Sequence, residues 1–363
     1  MEMIGFLILF PLVIAGLLVV IRKTKPRNVI VCVGSAVIAV ASIALVATNI
    51  GTTGTYYTFQ SSIVDYACLA ISAVIGITII CFGVKYKNIP AIVLAVVQLV
   101  GTLIFEFGFA HDLTCYKALY LDSLSLIMAL IIGIIGTGIC VYSIGYMHDF
   151  YFGIHHPDTE QPDRRPTFFA LMFVFLSAMY SIIFFNNLVW LFTAWEVTTL
   201  CSFLLIGFTK TDEAIHNSFR QIIMNLVGGI AFLGALFYLA INFQCIDFTD
   251  FIVFGTVAPA LVVFPLTCFS LAGITKAAQM PFHTWLLGAM VAPTPTSALL
   301  HSSTMVKAGV FMLIKCAPIY AVSFAPSLLV ILVGGLTFLL CSFMAISQTN
   351  GKRVLAYSTI ANL

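Results

Sequence analysis

The chain is predicted to be an all-α polytopic membrane protein, and three observations carry that expectation. Only 8% of its 363 residues are charged, where a soluble domain carries roughly 25%. Hydrophobic residues make up 61% and the mean hydropathy is +1.10, which excludes a water-soluble fold and a disordered chain alike. The apolar residues also gather into runs near the ~20 residues that a membrane-crossing helix needs. Sixteen Lys and Arg against 14 Asp and Glu leave a net charge of +2. That balance points to no nucleic-acid partner; the lipid bilayer is the partner that composition identifies.

Taken in order, the candidate spans are 4–21, 29–50, 63–84, 91–109, 119–146, 167–185, 187–209, 219–242, an interrupted region 257–292, then 296–315 and 327–347. A further apolar stretch begins at Val354 and stops at Leu363, giving about eleven spans and a truncated twelfth. Basic residues test this division. Twelve of them (Arg22, Lys23, Lys25, Arg27, Lys85, Lys87, Arg164, Arg165, Lys210, Arg220, Lys352, Arg353) fall in loops of one parity, and two, Lys117 and Lys315, in loops of the other. Basic loops stay in the cytoplasm. The N-terminus is therefore expected outside, the 147–166 loop in the cytoplasm, and 243–256, where acids alternate with aromatics, at the outer interface.

The bias holds only if 257–292 crosses once. Pro259, Pro265, Gly273 and Pro281 interrupt it, so it reads as one discontinuous helix whose freed backbone groups line protein or water, not lipid. The first apolar run follows Met1-Glu2-Met3 with no basic segment before it, so no cleaved signal peptide is expected.

No metal or cofactor is expected in this chain. Its ten cysteines, from Cys32 to Cys341, never fall in a C-x2-C or C-x4-C arrangement, and a zinc or iron–sulfur site needs clustered thiolates. His148, His155 and His156 in the 147–166 loop form no H-x3-H pair and lie among mixed acids and bases, as in a solvated loop. No soluble segment is long enough to hold a cofactor.

Ionisable groups in mid-membrane are costly and mark function. Glu196 lies ten residues into 187–209, as a proton acceptor or as a counter-ion joining two helices. Lys276 stands at the break of the discontinuous helix, where a carboxylate partner and burial act on it in opposite directions; snorkelling to the interface is the alternative. Lys307 lies eleven residues into 296–315, with His301 roughly 9 Å earlier along the axis. Histidine there reads equally as a proton relay or as a hydrogen-bonded packing residue. Asp122 opens 119–146 as a helix N-cap, Glu106 reaches the outer interface, and His283 stands beside Pro281-Phe282 to bond the broken backbone. Acid and base alternating on separate helices compose a proton path; nothing in the pattern forms a pocket for a small organic substrate or a nucleophile.

At these residues the chain resembles a known family. Thr275-Lys276-Ala277-Ala278-Gln279-Met280-Pro281-Phe282-His283-Thr284-Trp285-Leu286, continuing through Ala292-Pro293-Thr294-Pro295 to His301-Ser302-Ser303-Thr304-Met305-Val306-Lys307-Ala308-Gly309, is similar to the antiporter-like subunits of respiratory complex I, Mrp antiporters and membrane-bound hydrogenases. Trp195-Glu196 with Leu200-Cys201-Ser202-Phe203 looks like the family's glutamate helix. Asp122-Ser123-Leu124-Ser125-Leu126 through Tyr142-Ser143-Ile144-Gly145 resembles an earlier helix, and Lys352-Arg353-Val354-Leu355-Ala356-Tyr357-Ser358 the start of one in the second repeat. Together these cover about 119–363.

The resemblance implies two inverted five-helix repeats, each with a broken helix. It divides the chain into N-terminal helices over 1–110, a core over 119–315 containing the first repeat, and an incomplete second repeat over 327–363. It implies Glu196 paired with Lys276, supported by Trp195, with His301 and Lys307 relaying protons toward the second repeat, whose own broken helix the sequence does not contain. It also implies a prokaryotic cell membrane, other membrane subunits and a peripheral redox arm. Two departures, Trp285-Leu286-Leu287-Gly288-Ala289-Met290 and Asn225-Leu226-Val227-Gly228-Gly229, look more like energy-converting [NiFe]-hydrogenase subunits, which places iron–sulfur clusters and a NiFe centre in partner subunits. Spans 63–84 and 91–109 are additional to the family core. The leading expectation is an ion-translocating component of a ferredoxin-linked hydrogenase with no redox site of its own; the alternatives are a component of an Mrp-type Na+/H+ antiporter and an assembly scaffold.

Overall fold

Eleven helices among the described residues are long and apolar enough to cross a membrane. The computed structural model describes residues 1–51, 54–109, 113, 115–152 and 163–363. The spans are α1 (Glu2–Val20), α2 (Thr24–Asn49), α3 (Ser62–Lys85), α4 (Ile89–Gly108), α5 (Ser123–Phe152), α6 (Arg165–Phe184), α7 (Leu188–Ile206) and α8 (Asp212–Phe243). After the short α9 (Phe248–Val257) come α10 (Val263–Lys276), the short α11 (Thr284–Gly288), α12 (Thr294–Lys315) and α13 (Phe324–Ile346); α14 (Gly351–Asn362) follows. Strands β1 (Thr55–Tyr57) and β2 (Leu119–Leu121) pair antiparallel with Tyr56 opposite Tyr120.

The spans begin where side chains can satisfy free amides. Asp122 accepts from Ser125 N at 2.8 Å to start α5, as its N-cap reading expects. Asn187 accepts from Val189 N at 2.9 Å to start α7, and Thr211 accepts from Ala214 N at 3.2 Å to start α8. Asp212 and Glu213 in the first turn of α8 suit its positive end. Lys210, left-handed at φ 57°, closes the segment before α8, and Gln244, left-handed at φ 48°, closes α8 itself.

Loop contacts sort into two ends, as the basic-residue parity requires. At one end Asn186 Nδ2 donates to Lys117 O at 2.8 Å and Thr249 Oγ1 at 3.0 Å, Lys117 meets Asp250 at 3.3 Å, and Lys315 meets Asp122 at 2.7 Å. At the other, Arg164 donates to Phe208 O at 3.2 Å and Arg27 lies 3.9 Å from Asp163. Lys315 ends α12 at the first end while Asn217 and Gly288 meet at the second, so 257–292 crosses once. His155 and His156 lie outside the described residues.

Residues 248–257 form a short helix, with Phe248 and Phe251 buried against Phe269. Three local features depart from the sequence reading. Pro265 and Gly273, expected to interrupt 257–292, lie inside the unbroken α10; Pro265 falls in its first turn, where the amide has no partner within the helix to lose. A π-helical turn over Ile131–Gly136 interrupts α5. The span 296–315 is itself interrupted: Leu299–Ser303 is π-helical and Thr304 leaves the helical region at φ −133°, ψ −96°. The core sits in α6, α7 and the facing sides of α8 and α10; α13 exposes most of its apolar surface.

Candidate ion-translocation site

Helix α10 ends at Lys276 because the next residues cannot continue it. Ala278 takes a left-handed φ of 52°, and Gln279 N bonds Ile274 O at 3.0 Å across the helix end. The loop that follows is held from outside its own helix. Trp285 Nε1 donates to Thr275 O at 2.9 Å, Met280 N to Thr337 Oγ1 of α13 at 3.0 Å, and Gln279 Nε2 to Ile360 O of α14 at 3.2 Å. Gly309 of α12 lets this end approach: a Cβ there would lie 2.5 Å from Gly273 O and 2.6 Å from Ala277 N.

Lys276 is wholly buried. Its ammonium donates to Trp195 O and Thr199 Oγ1, each at 2.8 Å, and lies 4.8 Å from the Trp195 ring centroid. Thr199 in turn donates to Trp195 O at 3.1 Å. The charge is therefore seated on one turn of the glutamate helix, and snorkelling is overturned.

Glu196 occupies the next position of that turn and is 1% exposed. It makes no ion pair with Lys276 within 4.0 Å. Neither carboxylate oxygen has a hydrogen-bond donor among the described residues. The side chain turns toward Gln98 of α4, whose Oε1 also lacks a donor. Gly229 of α8 leaves room for both: a Cβ there would stand 2.8 Å from Glu196 Oε1 and 2.7 Å from Gln98 Oε1. An opposite charge seated on the same turn and polar atoms awaiting partners make a site suited to a water and a proton.

The remaining charges are not gathered with these two. His301 sits in the π-helical turn, with neither ring nitrogen hydrogen-bonded among the described residues. Half-buried Lys307 makes no ion pair there either. His283, in the loop after the break, leaves Nδ1 unbonded. Asp122 belongs to an end-cap and an ion pair with Lys315, far along the chain from the Glu196 turn. Charge-based reading missed the neutral polar side chains: Gln98 and Thr199, and buried Gln221 and Asn225 on α8. Their signal is polar residues four apart in apolar helices. Among the described residues no three His, Cys, Asp or Glu gather as metal ligands, and all ten cysteines are free.

A helix broken at a buried lysine packs against a helix carrying a buried glutamate, the juxtaposition that the resemblance to antiporter-like subunits implies. Residues 186–363 match the family described as "NADH:quinone oxidoreductase/Mrp antiporter, TM", and 108–151 match "NADH-Ubiquinone oxidoreductase (complex I), chain 5 N-terminus"; the chain belongs to this complex I/Mrp antiporter-like family. The A1 component of the Na(+)/H(+) antiporter of Staphylococcus aureus strains JH9 and Mu50 is 35% identical over 261 residues, 71% of this chain and 30% of the relative. The chain thus spans under a third of these relatives. In the Mrp complex of Dietzia sp. DQ12-45-1b, a chain is 27% identical at TM-score 0.60, covering 82% of this chain and 33% of that one. A chain of the archaeal membrane-bound sulfane sulfur reductase shares the fold at TM-score 0.70 and 17% identity, over 98% of this chain and 49% of that one.

Proposed function

We propose that the chain conducts protons within a multisubunit membrane complex, with Glu196 and Lys276 as the exchanging pair. The observation that carries this is the buried carboxylate with two unbonded oxygens, one position along the helix from the carbonyl that holds a buried ammonium. Neutralising Glu196 leaves a lone buried cation, which costs several kcal/mol. The state relaxes when Lys276 passes its proton on, toward Gln221 and Asn225 or sideways to His301 and Lys307. In this reading the end carrying Arg27, Arg164 and Lys210 faces the cytoplasm of a prokaryotic cell.

Similarity to the Staphylococcus aureus Na(+)/H(+) antiporter supports coupling to a sodium gradient. A second reading, a redox-driven hydrogenase-type complex with iron–sulfur clusters and a NiFe centre in partner subunits, is favoured by Gly228-Gly229 and Leu287-Gly288. Identifying the proteins that copurify with the full-length chain separates the two. The test of conduction is Glu196→Gln, which keeps shape and removes the titrating charge. Expected is loss of proton translocation in inverted vesicles with the complex still assembled on native gels. Normal translocation sinks the proposal, and loss of assembly favours a scaffold.

A further inference from the structure

Helices α3 and α4 form the wall that Glu196 faces. They pack on each other, on α7 and on α8. Between them lies a cavity of about 20 Å³ lined by Ser72, Gln98, Thr102, Phe192 and Glu196. A second cavity of about 580 Å³, lined by Asp65, Leu69, Glu106, Asn187 and Trp190, lies where these helices reach the Lys117–Asp250 end. About one helical turn separates the two: Leu69 from Ser72 on α3 and Glu106 from Thr102 on α4, about 4.5–6 Å of axis.

That turn is polar. Ser72 Oγ and Thr193 Oγ1 lie 3.3 Å apart, and Thr102 hydroxyl donates to Gln98 O at 2.9 Å. At the mouth, Trp190 Nε1 donates to Asp65 Oδ1 at 2.7 Å. Gln98, Thr102 and Glu106 recur every fourth residue, on one face of α4. The inner cavity is about the size of one water, and a buried water needs two or more polar partners. The Glu196 carboxylate and the Gln98 side-chain amide, which line it, supply them.

Resting on the proposed conduction, we infer that the α3–α4 hairpin builds a proton access route from the Lys117–Asp250 end to Glu196. Each hop breaks one O–H bond and forms the next. The route ends with Glu196 protonated and every hydroxyl restored. The bottleneck decides the cargo. A site for one water does not pass a cation that keeps its hydration shell.

The test uses the full-length protein in membrane vesicles. Ser72→Val combined with Thr102→Val fills and dries the connecting turn; translocation is expected to fall about tenfold or more, the equivalent of one lost hydrogen bond in the barrier. Leu69→Cys places a thiol in the wide cavity. A methanethiosulfonate carrying a quaternary ammonium, added at the Lys117–Asp250 face, is expected to block translocation beyond its effect on the wild type, which retains Cys68 and Cys81. Wild-type rates in the double valine variant, with Glu196→Gln inactive, overturn the route and leave the exchanging pair standing. Modification of Leu69→Cys only from the opposite face also overturns it. Normal rates in Glu196→Gln remove both. If the double variant fails to assemble, the Leu69→Cys arm decides.

Discussion

Gly309→Ala tests how tightly the broken helix is seated. The new Cβ would lie 2.5 Å from Gly273 O, 2.6 Å from Ala277 N and 3.0 Å from Ala277 Cβ, on α10 and on the residue that follows Lys276. Ordinary contact starts near 3.5 Å, so α10 and α12 must part by about 1 Å. Backbone atoms cannot rotate away as a side-chain tip can. Lys276 holds two acceptors at 2.8 Å, and a 1 Å shift takes these beyond the ~3.2 Å range of a good bond. Overpacking costs ~1–3 kcal/mol and a hydrogen bond to a charged group ~1.5–3. With even one of the two bonds lost, the total is about 2.5–6 kcal/mol. Thermal unfolding in detergent reads it as a lowered midpoint, and vesicle assays as lost translocation. Gly234→Ala is the control: no atom lies within 4 Å of its Cβ, and helix propensity gives a gain of about 0.5–1 kcal/mol. Wild-type stability and transport in Gly309→Ala would refute the argument that this contact seats Lys276.

Three further outcomes are expected. Lys307→Arg keeps the charge but cannot deprotonate at working pH; a relay predicts lost translocation in a stable complex, and wild-type rates remove Lys307 from the path. Asp122→Ala strips the partner from an ammonium that is 8% exposed and should destabilise by about 3–5 kcal/mol, with Lys315→Met added on top restoring most of it; an additive double variant refutes the ion-pair account. For Asp163, burial acts to raise the carboxyl, and the hydrogen bonds and charges of Arg165 and Arg27 outweigh it, holding it below the usual carboxylate range. Its stabilisation is therefore full above the unfolded value of ~3.9 and lost as pH falls through the lower folded value. Melting midpoints of Asp163→Asn and wild type should converge in acid; a constant difference down to about pH 2 contradicts this.

Hydropathy and basic-residue parity located every span, because lipid leaves few alternatives to a run of ~20 apolar residues. The break near Pro281 was legible because proline in an apolar run has a direct backbone cost; the same reading misplaced interruptions at Pro265 and Gly273, which α10 takes up without a break. The interruption at Thr304 was not legible, since Leu299-Leu300-His301-Ser302-Ser303 contains no residue that forbids a helix. Burial of Glu196 and Lys276 followed from depth. The direction each faces did not. Adjacent residues on a helix diverge by about 100°, so Glu196 can look toward Gln98 while the Trp195 carbonyl and Thr199 receive Lys276. Gln98, Ser72 and Thr102 escaped because neutral polar side chains barely alter hydropathy, although they decide where water can stand.

The loop after Lys276 is pinned by Thr337 on α13 and by the Ile360 carbonyl on α14. Thr337 is wholly buried, its hydroxyl also donating to Val333 O at 2.6 Å. Mechanically the loop is a tie rod, not a free hinge. If α13 slides by one residue's rise, ~1.5 Å, the Met280 amide loses its acceptor in a medium without water to replace it. Any load that tilts α13 is thus felt within a few bonds of the buried ammonium, and any movement of that ammonium is felt on the outer, apolar face of α13.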